Sequence, residues 1–129
     1  MESRLVAIPA LIEKLYSDPE VSARIKGREA DFLVATREAL VNAVVHGNRS
    51  DVSRKVFIRC ICEADGALSI VIRDEGSGFD PNRIPERKNM SEDLGRGIQL
   101  IVSSMDEVGF RKNGTEICMR IARRRKSPN

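Results

Sequence analysis

Tryptophan is absent from this chain, tyrosine and histidine each occur once, and cysteine occurs three times. With so few rings to stack on bases, and with acids and bases mixed along most of its length, direct nucleic-acid binding is poorly supported. The formal net charge is only +3, from 22 basic and 19 acidic side chains. Much of that excess lies in Arg123-Arg-Arg-Lys126, which reads as a solvated basic tail. No apolar run approaches the roughly 18 residues that a membrane-spanning helix requires, so no membrane role is expected. Cys60, Cys62 and Cys118 form an odd set with no signal peptide recognisable ahead of them. That predicts reduced thiols and a cytoplasmic setting. Cys60 and Cys62 stand two apart in a strand-like run, where packing accounts for them. A C-x-C pair with one distant cysteine and one histidine lacks the usual zinc spacing, so thiolate metal binding is discounted. There is no internal repeat and no clear linker. A chain of 129 residues, 41% apolar and 32% charged, fits one globular domain over 1–129, with a basic tail from about 123.

What is present is periodic. Pro9 to Tyr16 has helical spacing (Leu11, Ile12, Leu15, Tyr16), and Val21 to Ile25 has room for one more turn. Arg28 to Gly47 reads as one helix, apolar nearly all round and therefore buried. Asn48 to Arg54 is a polar loop. Lys55 to Glu63 alternates through Val56, Ile58, Cys60 and Cys62, the period of a strand. Asp65-Gly66 is a hairpin signal, with Leu68 to Asp74 as the partner strand. Glu75 to Asp93 is rich in glycine, proline and charge. Gly97 to Met105 reads as a helix. Glu107 to Arg111 and Glu116 to Ala122 read as strands joined through Lys112-Asn-Gly-Thr115. A helical crossover between strands, with helices early, predicts an α/β mixed sheet covered by helices on one face.

Three segments carry chemistry. At about 100° per residue, Glu38, Asn42 and His46 fall within one stripe of the long helix. A carboxylate and an amide on a buried helix are either satisfied by the core or face a ligand cleft. Asp74-Glu-Gly76-Ser-Gly78 directly follows a strand. It is either a tight turn or a fixed carboxylate beside backbone that can approach a planar ligand closely. Gly95-Arg96-Gly97 opens a helix, where free N–H groups and the dipole favour an anion. The plain alternative there is a helix start with flexible glycines. Between the glycine segments runs a loop of about fifteen residues, longer than most connections, which favours a lid.

Taken in order, these segments resemble the ATP-binding motifs of the histidine-kinase-like (GHKL) ATPases. Glu38-x-x-x-Asn42-Ala-x-x-His46-Gly47 resembles the N box, and Asp74 to Gly78 the first glycine box. Gly95-Arg-Gly97 resembles the second, and Asn113-Gly-Thr115-Glu the closing element near the base. Four ordered motifs in matching contexts outweigh any one of them. The resemblance runs from about Arg28 to Ile121 and implies an α/β two-layer sandwich with a mixed sheet. A glutamate four residues before the asparagine, then His-Gly, is similar to the anti-sigma-factor serine/threonine kinases. So is Gly95 to Val108, which resembles their post-lid helix.

The resemblance implies ATP and Mg²⁺ as cofactors. It also implies a sigma factor as bound partner and an anti-sigma-factor antagonist as phosphorylated substrate. Asn42 resembles the magnesium ligand and Glu38 the general base. Asp74 resembles the reader of the adenine amine, with Gly76 and Gly78 letting backbone close on the base. Gly95 and Gly97 resemble the phosphate-binding helix start, and Thr115 the residue that helps hold the base. Arg96 either reaches phosphate or is solvated. His46 either touches phosphate or caps the helix end. Arg83, Arg87 and Lys88 fall in the expected lid, Arg83 to Asp93. Members of the group usually begin with a strand that often lies near a dimer contact. Here Met1 to Ile8 is polar at Glu2-Ser3-Arg4, so that strand is expected to be short or absent, and a homodimer stays open. Two other outputs remain: an ATP-gated protein-binding switch without phosphotransfer, and the catalytic domain of a histidine kinase. The second is disfavoured, because no phosphoacceptor helix pair accompanies the motifs and His46-Gly47 departs from that group's usual N box.

Overall fold

Alternation in two hairpins decides which face of the sheet is dry. A computed structural model describes residues 1–77 and 92–123 of the chain. Strand β1 (Phe57–Cys62) pairs antiparallel with β2 (Leu68–Arg73), from Phe57↔Arg73 to Cys62↔Leu68. Gly66 takes the left-handed conformation, φ 94°, that the tight turn needs, and Asp65 Oδ1 accepts the Ala67 N–H at 2.9 Å. Strand β3 (Glu107–Arg111) pairs antiparallel with β4 (Glu116–Ile121) through a short 3₁₀ turn over Lys112–Gly114. Leu68, Ile70 and Ile72 of β2 and Ile117, Met119 and Ile121 of β4 all point to the buried side. Fully burying such a side chain is worth roughly 1.5–3 kcal/mol.

The strand order is β1-β2-β4-β3, and every pairing among the described strands is antiparallel. The crossover had predicted a mixed sheet. Its two strands, β2 and β3, do run in the same direction, but β4 inserts between them and pairs antiparallel with both. The second hairpin thus removes the parallel neighbour that a plain crossover creates.

The helices form a second layer on the dry face. Helix α1 (Ile8–Ser17) starts with Pro9 in its first turn, where no N–H partner is lost. Helix α2 (Pro19–Arg24) starts two residues ahead of Val21, where Asp18 caps it: Oδ1 accepts Glu20 N–H at 2.9 Å and Val21 N–H at 3.4 Å. Helix α3 (Glu29–Val41) and helix α4 (Glu92–Ser104) pack on each other. Helix α2 lies against β1, α3 against β2 and α4 against β3. Phe32, Leu40, Ile101 and Met119 are fully buried between the layers.

Three expectations change in detail. The single helix from Arg28 to Gly47 is instead α3 followed by a π-helical turn, Asn42–Gly47. Helix α3 is also not buried all round: Leu33 and Val34 are 41% and 39% exposed, because the sheet and α4 cover only part of its circumference. Helix α4 begins at Glu92, so Gly95 and Gly97 lie inside it rather than at its opening. The N-terminal strand, expected to be short or absent, is one bridge, Glu2↔Lys55, with Met1 and Val56 exchanging backbone bonds at 2.9 Å. Among the described residues no helix is long and apolar enough to cross a membrane.

One arginine ties the far ends of α3 and α4 together. Arg28 donates to Asp31 at 2.8 Å, to Asp106 at 3.0 Å and to the Ser104 carbonyl at 3.0 Å. The α3–α4 pair is thereby fixed at the end away from the candidate site.

Candidate functional site

The site forms where the C-terminal end of α3 meets the ends of β2 and α4. Its cavity, about 680 Å³ including the open mouth, has an apolar floor of Ile72, Phe110 and Ile117. Leu94 and Ile98 of α4 form one wall. Asn42, His46, Arg49, Asp74, Ser77 and Thr115 supply the polar groups around it. A mostly apolar cleft with a few convergent polar groups suits a flat heteroaromatic ligand.

Asp74 stands immediately beyond the last residue of β2. Its N–H donates to the Thr115 carbonyl at 2.9 Å, which locks it to the start of β4. Its Oδ1 accepts the Gly76 N–H at 2.8 Å. Burial pushes the carboxyl above its ordinary value, against the Gly76 bond and the Arg54 charge, which pull it down. Among the described residues its other oxygen accepts no hydrogen bond, and a half-buried carboxylate so placed favours a hydrogen-bond donor from a ligand.

Glycine at 47 and 76 is a packing requirement. A Cβ on Gly47 would lie 2.2 Å from Asp74 Oδ2, and one on Gly76 would lie 1.9 Å from the Gly47 carbonyl oxygen. The backbone after β2 therefore rests directly on the end of the π turn. That turn is itself a departure from helical geometry: Asn48 N–H donates to the Ala43 carbonyl, five residues back, at 2.8 Å. π turns of this kind occur mostly as local insertions at functional sites.

Gly97 brings the two helices together. A Cβ there would lie 3.1 Å from both Asn42 Oδ1 and Glu38 Oε2. The stripe predicted along α3 thus converges on a glycine of α4. Glu38 keeps 21% of its side chain exposed and pairs with Arg37 at 3.4 Å. Among the described residues the Asn42 amide makes no hydrogen bond, which leaves its oxygen available to a ligand.

The other expected residues divide. His46 and Thr115 line the cavity. Thr115 Oγ1 donates back to the Lys112 carbonyl at 2.8 Å, so its hydroxyl also shapes the turn. Gly95 sits within α4, away from the lining. Arg96 has 69% of its side chain exposed and pairs with Asp93. Gly78, the lid arginines and lysine Arg83, Arg87 and Lys88, and the tail after Arg123 lie outside the described residues. Sequence reasoning passed over Gly47 and Asn48 as site residues, and also the apolar lining from Leu94, Ile98 and Phe110. The signal for Gly47 was its place at the end of the N box, and for Asn48 its place directly after it. The apolar three were indistinguishable from core.

Comparison with known proteins adds the following. The family described as "Histidine kinase-like ATPase domain" matches residues 10–121. An anti-sigma F factor of Oceanobacillus iheyensis is 37% identical over 108 residues, covering 80% of this chain and 68% of that protein. One from Clostridium perfringens is 34% identical over 124 residues, covering 89% and 82%. The serine-protein kinase RsbW of Staphylococcus epidermidis is 31% identical over 99 residues, covering 69% of this chain and 62% of that protein. For the anti-sigma F factors of Geobacillus thermodenitrificans and Priestia megaterium the matched stretch spans 51% and 52% of their length. Among solved structures, a histidine kinase domain from the Erythrobacter litoralis EL346 blue-light activated histidine kinase shares the fold. Its TM-score is 0.56 at 20% identity, over 74% of this chain and 44% of that one.

Proposed function

This chain belongs to the histidine kinase-like ATPase domain family, and from that premise we propose that it is an anti-sigma factor with ATP-dependent protein serine/threonine kinase activity. It holds a sigma factor in its nucleotide-bound form and phosphorylates a serine or threonine of an antagonist protein. The observation that carries this is the convergence of the Glu38 carboxylate and the Asn42 amide oxygen on Gly97, beside a cleft that ends in the Asp74 carboxylate.

The residues present fit a magnesium nucleotide. Asp74, with one oxygen that accepts no bond among the described residues, would take the amine of adenine, and the base would rest on Ile72, Phe110 and Ile117. Asn42 would provide the oxygen for Mg²⁺. Among the described residues no three carboxylates, histidines or cysteines gather for a metal. Mg²⁺ is usually held by one or two protein oxygens together with phosphate and water, so the one amide oxygen of Asn42 would be enough from the protein. When bound, Mg²⁺–ATP supplies the phosphoryl group and neutralises the charge that develops on it. Glu38 lies one helical turn from Asn42 and takes the proton of the substrate hydroxyl. That oxygen forms its bond to the γ-phosphorus as the bond to the β-phosphate oxygen breaks, and ADP leaves.

Incubation of the protein with γ-labelled ATP and a cellular protein extract, followed by identification of the labelled chain and residue, tests this. Label on a serine or threonine of one small protein is expected. ATP binding without label on any protein replaces the kinase with an ATP-gated switch. Label on histidine refutes the serine/threonine assignment.

A further inference from the structure

Asn48 is fully buried, although an unpaired carboxamide in a core is costly. Every part of it is used. Its Oδ1 accepts the Glu75 N–H at 2.7 Å. Its Nδ2 donates to the Lys55 carbonyl at 2.9 Å and to Ser3 Oγ at 3.2 Å. Its own N–H closes the π turn on Ala43. The knot is tightened by Glu75, whose Oε1 accepts the Lys55 N–H at 2.6 Å. One side chain therefore joins the end of the π turn, the loop after β2, the approach to β1 and the N-terminal segment.

Its neighbours in sequence are the groups that shape the base end of the cleft. Gly47, just before it, lies against the Asp74 carboxylate, and Glu75, which it holds, stands between Asp74 and Gly76. Among the described residues Asp74 makes two hydrogen bonds of its own, to Thr115 and Gly76. Both secure it to its own side of the cleft. Of these three, only the Glu75–Asn48 bond ties the loop to the end of the π turn, against which Asp74 also packs through Gly47.

We propose that Asn48 is the positioning residue of the base subsite: it fixes the loop after β2 against the π turn, so that Asp74 keeps the direction an adenine amine requires. This rests on the assignment of Asp74 to adenine. Asn48 does not line the cleft, so it acts through Asp74 and not by touching the ligand. Loss of the bond frees the loop and weakens the contact to the amine. Stacking on Ile72 and Phe110, and coordination through Asn42, do not depend on it. The consequence is a loss of discrimination between bases rather than a uniform loss of affinity.

The test is calorimetric titration of ADP and inosine diphosphate, which carries a carbonyl where adenine carries its amine, into wild type and Asn48→Ala. Wild type is expected to prefer ADP. Asn48→Ala is expected to lose about fivefold or more in ADP affinity while inosine diphosphate changes by no more than about twofold. An unchanged preference, with both ligands weakened alike, overturns the proposal and leaves Asn48 a structural residue. A wild type that binds both diphosphates equally overturns the Asp74 assignment and the proposal with it. Amide exchange on wild type keeps the idea open to refutation if Asn48→Ala does not fold. The Glu75 amide should be protected without nucleotide, and an unprotected Glu75 amide refutes it.

Discussion

Replacing Asp74 by asparagine changes one oxygen to an NH₂ group and has two opposed consequences. The Gly76 N–H can still be accepted by the remaining side-chain oxygen, as Oδ1 does now at 2.8 Å. The other oxygen, which rests on Gly47, becomes a donor facing the donor of the adenine amine. A mismatched buried pair costs about 1–3 kcal/mol, or roughly five- to 150-fold in affinity at 1.4 kcal/mol per tenfold. The empty protein should respond in the other direction. Burial raises the Asp74 carboxyl above its ordinary value of 3.8, so the ionised form is penalised in the folded state. Stability is therefore lost as pH climbs from 3.8 through the raised native value, and it stays lower above that. Asp74→Asn removes that penalty. Without nucleotide the variant should melt above wild type at neutral pH, and the gap should narrow as pH falls toward 3.8. Isothermal titration with ADP and thermal melts across pH read both effects. Equal ADP affinity in the two proteins sinks the assignment of Asp74, and a lower melting point of empty Asp74→Asn at neutral pH sinks the electrostatic argument.

Glu38→Ala should retain ATP and the sigma-like partner while phosphorylation of the antagonist slows about 10²–10⁴-fold; an unchanged rate of γ-phosphate transfer removes Glu38 as the base. Asn42→Ala should instead abolish the gain in ADP affinity that Mg²⁺ confers on wild type, measured by titration with and without the metal. Gly97→Ala places a Cβ 3.1 Å from Glu38 Oε2 and from Asn42 Oδ1, so both side chains must yield by a few tenths of an ångström. A variant that is folded by circular dichroism yet slow in transfer is expected, and full activity would mean that the two side chains need not stay where they are. Asp106 is held below the ordinary 3.8, first by its hydrogen bond from Arg28. A depressed carboxyl contributes stability that is complete above 3.8 and is lost as pH falls through the native value. Arg28→Ala should therefore melt lower at neutral pH, with the gap narrowing in acid to what the bond to the Ser104 carbonyl still contributes, and a gap that does not narrow below 3.8 contradicts this.

Periodicity and turn chemistry are local, and the local parts were legible. Alternation through Ile58, Cys60 and Cys62, the Asp65-Gly66 turn and the bounds of β3 could all be read without contacts. So could the stripe Glu38, Asn42, His46, because helical spacing alone puts residues four apart on one face. The order of the glycine segments pointed to a nucleotide. Contacts between distant segments were not legible. Nothing in a strand–helix–strand run says that β4 will insert between β2 and β3, because pairing partners are chosen by the whole sheet. Nothing in Gly97 says that it is a gap filled by Glu38 and Asn42, because a helical glycine looks the same whether space or a neighbour requires it. Arg96, one residue away, was eligible both for phosphate and for solvent, and in the structure it pairs with Asp93. Asn48 read as loop because its four partners come from Ser3, Ala43, Lys55 and Glu75. The sequence by itself determined which segments become helix and strand and which carry the nucleotide motifs, since backbone preference and side-chain period act over a few residues. The tertiary structure decided which of those side chains meet, since close packing and the pairing of buried polar groups are settled only between segments far apart in the chain.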